Sequence, residues 1–515
     1  MFAWLTGTET TPPALLEIRS SKWLIISTVA AAVFTDVFLY GIIVPVLPFA
    51  LSGRAGVPQD NVQSMISVLL AVYGGALLIG APICGWVADR FDSRRWSFMF
   101  GLLALAGSTI FLVVGNSLAL IIVGRLLQGL SAAVVWVVGL ALLQDTVGSA
   151  EIGQSMGYVG IAMSLAYLLG PLLGGIVFER FVISEVKRST LVLTWLTVAG
   201  YYAVFAMAFV LLGIDAILRL LMIERSVAAK WGPTAPEVAT DTEHKGSTDD
   251  PRADPECHTP EVETSAVTQE RRRLPRVFSL LASYRLDAAL FGCFVSACLL
   301  TSFDSILPLY VNEIWGWDSI GAGLIFLAVT IPSFTGPLVG GFVDKHGVRW
   351  PSTIGFIVCS PCFILMRLVN HDSIRQKVLL CALLALIGLG VTLSLTPLMA
   401  EVSYAVDAQG AKRPAGFFGK NGAFAQAYGL FNMAYAGGTL VGPLLAGLVR
   451  QRAGWGTATL VLGCVSFVCV VPTVVWCGGS IFKLRRKQQA EKAEKVEKPT
   501  KASPSDTSAS SVTNV

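Results

Sequence analysis

An acidic side chain stands inside the first long apolar stretch of the chain. It is Asp36, in the segment FTDVFLYGIIVPVLPF from Phe34 to Phe49. A helix rises 1.5 Å per residue, so Asp36 would lie roughly 20 Å along a helix that begins near residue 23. A carboxylate at that depth is costly unless it faces a bundle interior or a water-filled path for protons, ions or substrate. We therefore expect functional chemistry at Asp36; the alternative is a carboxylate satisfied by neighbouring Ser or Thr side chains.

Two further charged side chains interrupt apolar stretches. Arg125, in GRLLQGLSAAVVWVVG, lies about 11 Å from the outer end of its stretch, at a depth similar to that of Asp36. A buried arginine is disfavoured unless it is paired, so the two residues could meet. Asp304, in CLLTSFDSILPLYV, lies some 24 Å along its stretch, where it could reach water.

These residues require a membrane-spanning scaffold. Apolar residues make up 54% of the 515 residues and charged residues 14%, and the mean hydropathy is +0.66, which is more apolar surface than a soluble core can hide. A span needs about 20 mostly apolar residues, and continuous apolar runs favour helices over barrel strands. The sequence predicts an all-α fold with twelve spans, at 23–50, 62–88, 96–114, 118–143, 152–178, 192–222, 288–312, 320–343, 350–369, 377–401, 423–449 and 455–481.

The spans form two groups of six on either side of a polar segment, which predicts two pseudo-symmetric six-helix bundles. Basic clusters in the central segment and the tail place both termini in the cytoplasm by the positive-inside rule. The predicted parts are a cytoplasmic N-terminal segment 1–22, a bundle 23–222, a disordered cytoplasmic loop 223–285, a bundle 286–481 and a disordered cytoplasmic tail 482–515.

A short polar turn in each half repeats the same pattern. GWVADRFDSRR runs from Gly85 to Arg95, and a degraded copy, GGFVDKHGVR, runs from Gly340 to Arg349. An ordinary cytoplasmic loop rich in basic residues would explain the arginines but not the repeated order of glycine and aspartate. The residues predicted to act here are Gly85, Asp89, Arg90, Arg94, Gly340, Asp344 and Lys345.

A second repeat is rich in glycine and proline. AYLLGPLLGGIVFER ends the fifth span and AGGTLVGPLLAGLV lies in the eleventh, and both contain Gly-Pro-Leu-Leu. Small residues permit close helix crossing and proline kinks a helix, so simple packing is the alternative to a functional role. The residues of the repeat are Gly170, Pro171, Gly174, Gly175, Gly442 and Pro443.

With these motifs the chain resembles the major facilitator superfamily over residues 23–481, and within it the twelve-span drug:proton antiporters. The resemblance implies that Asp89 contacts the start of a helix in the opposite half and latches one conformation. It also implies that Asp36 and Arg125 couple protons, the alternative being a static ion pair, and that the Gly-Pro repeat seals the central cavity. Asp304 is a second candidate for proton coupling, because its segment repeats the order of Asp, Pro and aromatic residue of the first span.

The function that this resemblance implies is proton-coupled export of small amphipathic compounds, such as drugs, toxins or secondary metabolites, by alternating access. The chain is especially similar to the branch near the vesicular amine transporters and fungal efflux pumps, but it has Asn432 where the amine transporters have an acid. The alternatives are amine loading into an organelle, a nutrient facilitator or symporter, and a non-transporting sensor. The predicted substrate contacts are Asp36, Gln128, Trp136, Asp304, Phe431, Asn432 and Tyr435.

Several other classes of protein are disfavoured. The nearest approach to a phosphate loop, at Gly419 and Lys420, lacks the first glycine and the final Ser or Thr, so we expect no ATP site and no enzyme. The ten cysteines show no metal-ligand spacing outside an apolar CSPC segment, so we expect no metal or other cofactor. The net charge of +4 implies no nucleic-acid partner. We expect a monomer, with the plasma membrane favoured over a vacuolar or vesicular one, whose partners are a small molecule, protons and the bilayer.

Overall fold

The regular structure of the described residues is helical, with no strand among them. Most of the predicted loop 223–285 and all of the predicted tail 482–515 lie outside these residues. The residues that the computed structural model describes are 12–43, 51, 54–90, 93–183, 190–231, 279–317, 321, 324–414, 417–418 and 423–479.

Eleven helices of the described residues are long and apolar enough to span a bilayer. The six of the N-terminal half are α1 (Lys22–Ile43), α2 (Gln59–Ala88), α3 (Arg94–Val114), α4 (Leu118–Val147), α5 (Ile152–Ile183) and α6 (Thr190–Leu221). The five of the C-terminal half are α7 (Tyr284–Trp315), α8 (Phe326–His346), α9 (Arg349–Leu365), α10 (Ile374–Gly410) and α11 (Phe424–Trp476). Shorter helices and turns are Leu16–Arg19, Arg225–Ala228, Ala229–Trp231 and Met366–Leu368.

The last helix, α11, provides two spans. Its 53 residues would extend for about 80 Å as one rod, more than twice the hydrocarbon thickness of a bilayer. Gly454 interrupts it with φ 80° and ψ 175°, a conformation that glycine adopts without a side-chain penalty. The two legs on either side of Gly454 make the described helices consistent with the predicted twelve spans.

One helix of the C-terminal half is not regular along its length. In α8 a 3₁₀ turn over Ile331–Thr335 separates Phe326–Thr330 from Gly336–His346. Pro332 within the turn and Pro337 just after it cannot donate the backbone hydrogen bonds of a regular helix. The turn therefore divides α8 into two parts that reach different regions of the molecule.

The two halves repeat one packing arrangement. In the N-terminal half α1 packs along α5, and in the C-terminal half α7 packs along α11. Because α1 and α4 are mostly enclosed by other helices, the charged residues they carry are held inside the bundle rather than against lipid.

We call the face where α1 begins and α11 ends the terminal face. Lys22, at the start of α1, forms an ion pair of 2.6 Å with Glu151 just before α5. The rings of Tyr284 and Trp476, at the start of α7 and the end of α11, lie 6.3 Å apart. The odd-numbered helices therefore begin together at this face.

The helix of the predicted tenth span, 377–401, is longer than that span, because α10 continues to Gly410. Its last turns carry polar side chains that end the apolar pattern but make contacts at the terminal face. The Tyr404 hydroxyl donates to Asp344 at 2.7 Å, and Asp407 accepts from Ser149 of the other half.

Candidate functional site

A cavity of about 480 Å³ lies between the two halves of the molecule. The N-terminal half lines it from α1, α2, α4 and α5, and the C-terminal half lines it from α7, α8 and α10. Tyr40 and Gly41 near the end of α1, and Phe326 at the start of α8, are among its lining residues. The cavity therefore extends from mid-bundle toward the face opposite the terminal face.

The C-terminal wall of the cavity combines apolar side chains with most of the polar side chains that line the cavity. Asp304 is the one carboxylate among the described residues that line the cavity, and its side chain is open to the cavity. Hydroxyl groups of α7, α8 and α10 surround it on the same wall, from Thr301, Thr330, Ser333, Thr392 and Thr396. This wall can neutralise one positive charge and hydrogen-bond neighbouring polar atoms of a ligand.

The N-terminal wall is mainly apolar and aromatic. Tyr40, Trp136 and Tyr167 contribute rings, and the remaining lining residues of this half are aliphatic or small, apart from Ser164. Aromatic faces suit flat or cationic ligands. The cavity thus offers an amphipathic ligand one aromatic wall and one hydroxylated wall with a single negative charge.

Asp36 lies behind this aromatic wall and is not among the cavity-lining residues. It is 1% exposed, and neither carboxylate oxygen has a hydrogen-bond partner. The Trp136 side chain faces it without completing a hydrogen bond of good geometry. The alternative in which neighbouring Ser or Thr side chains satisfy Asp36 is therefore wrong for this conformation.

Arg125 forms no ion pair with Asp36 here, so the expectation of a static pair is not met in this conformation. Its guanidinium turns instead to the Gln128 amide oxygen at 2.9 Å and lies 5.7 Å from the centre of the Tyr40 ring. Nε and one terminal nitrogen of this fully buried side chain have no partner. A buried cation with unused donors can bind an anionic partner, and this conformation does not supply one.

The predicted contacts on α11 lie outside the cavity lining. Phe431 and Asn432 are each 3% exposed, and the Phe431 carbonyl accepts from the Cys293 thiol of α7. Tyr435 stacks on Trp136 with ring centres 6.4 Å apart, and its hydroxyl has no hydrogen-bond partner. Of the seven predicted substrate contacts, Trp136 and Asp304 line the cavity, while Asp36 and Gln128 lie behind it with the three residues of α11.

Asp89 joins the halves at the terminal face. Its carboxylate accepts hydrogen bonds from the backbone nitrogens of Ala425 and Gln426, at 3.3 and 3.0 Å, in the first turn of α11. Arg94 donates to it at 3.0 Å and also binds Asp145 of α4 at 3.1 Å. Burial raises the pKa of the Asp89 carboxyl above its ordinary value, although Arg94 and the Gln426 donors oppose that shift. The positive end of α11 thus stabilises the Asp89 anion and offsets part of the cost of removing it from water.

Asp344 makes the corresponding contact from the other half. Its two oxygens accept from the backbone nitrogens of Gly153 and Gln154, at 2.7 and 2.9 Å, in the first turn of α5. The degraded second copy of the turn therefore retains the geometry of the first.

Two glycines allow these contacts to form. A Cβ atom at Gly85 would lie 2.5 Å from the Ala425 carbonyl oxygen, and one at Gly340 would overlap the Gly153 carbonyl. The basic residues of the two turns have other surroundings: Arg90 lies 3.6 Å above the Trp86 ring, and both Arg90 and Lys345 are exposed. The glycines and aspartates, not these cations, bring the halves together.

The Gly-Pro repeat packs each half internally. Gly170 and Gly174 lie against the backbone of α1 at Phe38 and Ile42, and Pro171 also lines the cavity. Gly442 lies against α7, where a Cβ would come within 2.7 Å of the Thr301 hydroxyl. Gly175 follows in α5, and the Pro443 carbonyl accepts from Ser305 of α7 at 3.3 Å. The repeat therefore fixes the α1–α5 and α7–α11 pairs that border the cavity.

The fold, the cavity and the paired turns agree with the comparison of this chain with known families. The family model described as Major Facilitator Superfamily matches residues 29–426. The chain belongs to this family. It is therefore a multi-pass membrane protein of a transporter family rather than an enzyme family, with a place for a small molecule between its halves.

Members of the superfamily that the chain is similar to include characterised and uncharacterised transporters. An uncharacterised MFS-type transporter of Schizosaccharomyces pombe is 34% identical over 88% of this chain and 94% of that protein. The tetracycline resistance protein, class B, of Escherichia coli is 31% identical over 30% of this chain and 38% of that protein. The crystal structure of the human organic anion transporter MFSD10 (TETRAN) covers 88% of this chain and 99% of that one, with a TM-score of 0.56 and 16% identity.

The ion pairs of Glu401 and Asp215 were not predicted from the sequence of this superfamily member. Glu401 is fully buried; it pairs with Arg285 of α7 and accepts from the backbone nitrogen of Gly478 at 2.7 Å. Asp215 and Arg219 form a pair of 2.7 Å inside the N-terminal half. Their spacing of four residues on one helix was the available signal for the second pair.

Proposed function

We propose that this protein is a proton-coupled antiporter that exports small amphipathic compounds, such as drugs, toxins or secondary metabolites, by alternating access. The observation that carries the proposal is Asp36, which is 1% exposed and has no hydrogen-bond partner on either oxygen. An unpaired carboxylate anion is strongly disfavoured in that position, so Asp36 would bear a proton in this conformation and release it in another.

In this proposal the substrate and the proton use different carboxyl groups. Asp304 is open to the cavity and would neutralise a positive substrate group, while the rings of Tyr40 and Trp136 would cover its apolar face. Asp36 would hold the proton behind Trp136. Since Arg125 has unused donors, it would become the partner of the Asp36 anion once the proton has left.

The proposed transport cycle uses the contacts at the terminal face. Asp89 and Asp344 each bind the first turn of a helix in the opposite half, and these contacts hold the two halves together at that face. If the terminal face is cytoplasmic, as the basic clusters predict, this conformation faces outward; it would discharge substrate and take up a proton. The next step would open the terminal face and close the other.

The relationship to drug-resistance proteins supports the direction of transport. The tetracycline resistance protein aligns with part of this chain, and the motifs quoted from the sequence are those of the antiporter class. We place the protein in the plasma membrane as a monomer with both termini in the cytoplasm; fluorescence of a tagged chain in whole cells would contradict the placement if it marked the vacuole.

The decisive experiment uses inside-out vesicles that carry the native chain, Asp36→Asn or Asp304→Asn. Uptake of the cationic dyes rhodamine 123 and ethidium is followed with an imposed proton gradient and after its collapse, with a neutral coumarin dye as a control. We expect gradient-driven uptake of a cationic dye by the native chain, and loss of at least tenfold in Asp36→Asn with dye binding retained.

The second variant separates the two roles. Asp304→Asn should weaken binding of the cationic dyes by about tenfold or more, because it removes the one negative charge of the cavity lining. Undiminished gradient-driven uptake in Asp36→Asn would exclude Asp36 from coupling. Uptake in the direction of proton flow would instead establish a symporter.

A further inference from the structure

A second acid in the N-terminal half is fully buried, and it is paired. Asp215 and Arg219 lie one turn apart on α6, and both are enclosed, at 1% and 0% exposure. Arg219 binds both carboxylate oxygens, with its Nε at 2.8 Å from one and a terminal nitrogen at 2.7 Å from the other. The remaining terminal nitrogen donates to the Phe98 carbonyl, so the guanidinium is fixed in one orientation.

This pair lies beneath Asp36 in the same bundle. The guanidinium of Arg219 lies 3.8 Å from the centre of the Phe98 ring. That ring packs against Gly139 of α4: a Cβ atom added to Gly139 would lie 3.4 Å from it. Val29 of α1 packs against the same glycine, and its side chain would lie 3.3 Å from that added Cβ atom. Val29 precedes Asp36 on α1 by two helical turns, or about 10 Å, so the Phe98 and Val29 side chains lie between the pair and the level of Asp36.

The groups that face Asp36 come from four neighbouring elements. From α6 they are the charges of Asp215 and Arg219, and from α2 the Tyr73 ring and hydroxyl. From α4 the Trp136 indole faces it, whereas α5 packs on α1 through small residues such as Gly170. The Asp215–Arg219 pair is therefore one source of fixed charge near Asp36 in this conformation.

We propose that Asp215 is a positioning residue: by neutralising Arg219, it keeps the pH at which Asp36 exchanges its proton above the value that an unpaired Arg219 would impose. The inference rests on the proposed function, since it assigns a role relative to the proton site. In surroundings of low dielectric constant, one unit charge at about 10 Å changes an ionisation equilibrium by about one pH unit. The opposite charges of a tight pair nearly cancel at a distance, so Arg219 has little effect on the ionisation of Asp36 while it is paired with Asp215.

The test measures the Asp36 carboxyl directly. The infrared absorption of protonated carboxyl groups is titrated in the purified full-length protein, and the Asp36 band is identified as the one that Asp36→Asn removes. Asp215→Asn leaves the permanent charge of Arg219 uncompensated, which favours the Asp36 anion. The midpoint of the Asp36 band should fall by about one pH unit.

Two further variants make the result specific. Asp215→Asn combined with Arg219→Gln removes both charges and should return the midpoint to near the native value. Glu313→Gln also breaks an ion pair, with Arg450 at 2.7 Å, but at the exposed far end of α7, and it should leave the midpoint unchanged. A purely structural role for the pair would affect the single and double variants in the same direction.

The outcomes separate this inference from the proposed function. An unchanged midpoint in Asp215→Asn, or equal shifts in the single and double variants, would overturn the inference even if dye transport is proton-driven. So would an Asp36 band that does not titrate between about pH 4 and about pH 10. A titration that behaves as expected in a protein without proton-driven transport would overturn the proposed function alone.

Discussion

The Asp344 carboxylate lies 2.7 Å from the backbone nitrogen of Gly153, across the boundary between the two halves. Asp89 makes the equivalent contact in the opposite sense, 3.0 Å from the backbone nitrogen of Gln426. Each half thus presents an anion to the positive end of a helix in the other half. Because both contacts lie at one face, we expect that face to open and close as a unit.

We predict that Asp89→Asn combined with Asp344→Asn opens the terminal face. Each contact to a helix end contributes about 1 kcal/mol, so losing both should change the ratio of closed to open molecules by about tenfold or more. The measurement is the distance distribution between spin labels at Ala150 and Lys412, which are exposed at this face on opposite halves. Glu151→Gln, which breaks only a surface pair with Lys22, should leave the distribution unchanged. A distribution that is unchanged in the double variant would rule out the latch.

Gly340→Ala should prevent closure of the terminal face by steric overlap. The new methyl group would overlap the Gly153 carbonyl, which belongs to the rigid first turn of α5 and cannot move aside alone. We expect transport to fall at least tenfold while the protein still folds, as judged by gel filtration. Gly341→Ala is the matched control, because a Cβ at Gly341 meets nothing within 4 Å. Equal transport rates in the two variants would contradict the prediction.

The fold was predictable because its determinants are periodic and repeated. Span lengths, the polar central segment and the duplicated turns are all visible along one chain, and the superfamily follows from them. The turn at Asp344 was predictable for the same reason, even with lysine at Lys345 in place of arginine. Gly454, where α11 changes direction, coincides with the predicted gap between the last two spans.

The geometry of the site was less predictable, because depth along a helix does not determine which way a side chain points. Asp36 and Arg125 have similar depths, yet Arg125 turns to Gln128 and Asp36 faces Trp136. The burial of Glu401 was not predictable for a related reason: the apolar pattern fades after it, although α10 continues for nine residues to Gly410. Side-chain direction depends on packing between helices distant in the chain.

Glu401→Gln should destabilise the C-terminal half. The buried carboxylate pairs with Arg285 and caps the backbone nitrogen of Gly478, so the substitution leaves a partly buried cation without its counter-charge. Loss of one partner of such a pair costs about 3 kcal/mol. The check is thermal unfolding in detergent, where we expect a clear fall in melting temperature. Glu313→Gln breaks an exposed pair of similar length and should cost less than about 1 kcal/mol. Equal losses would show that the Glu401 pair behaves as a surface pair.

Gly442→Ala should make the protein leak protons. A Cβ at this position would come within 2.7 Å of the Thr301 hydroxyl and would meet the α7 backbone, so α11 and α7 must separate. Thr301 lines the cavity one turn from Asp304, and a gap there would let water pass along the α7–α11 boundary. The measurement is acidification of liposomes that contain the purified protein and a trapped pH-sensitive dye, without substrate. We expect the leak to rise severalfold over the native protein. Gly447→Ala is the control on the same helix, since a Cβ there meets nothing within 4 Å. A leak that is equal in the two variants would mean that the Gly-Pro repeat packs the helices without sealing the cavity.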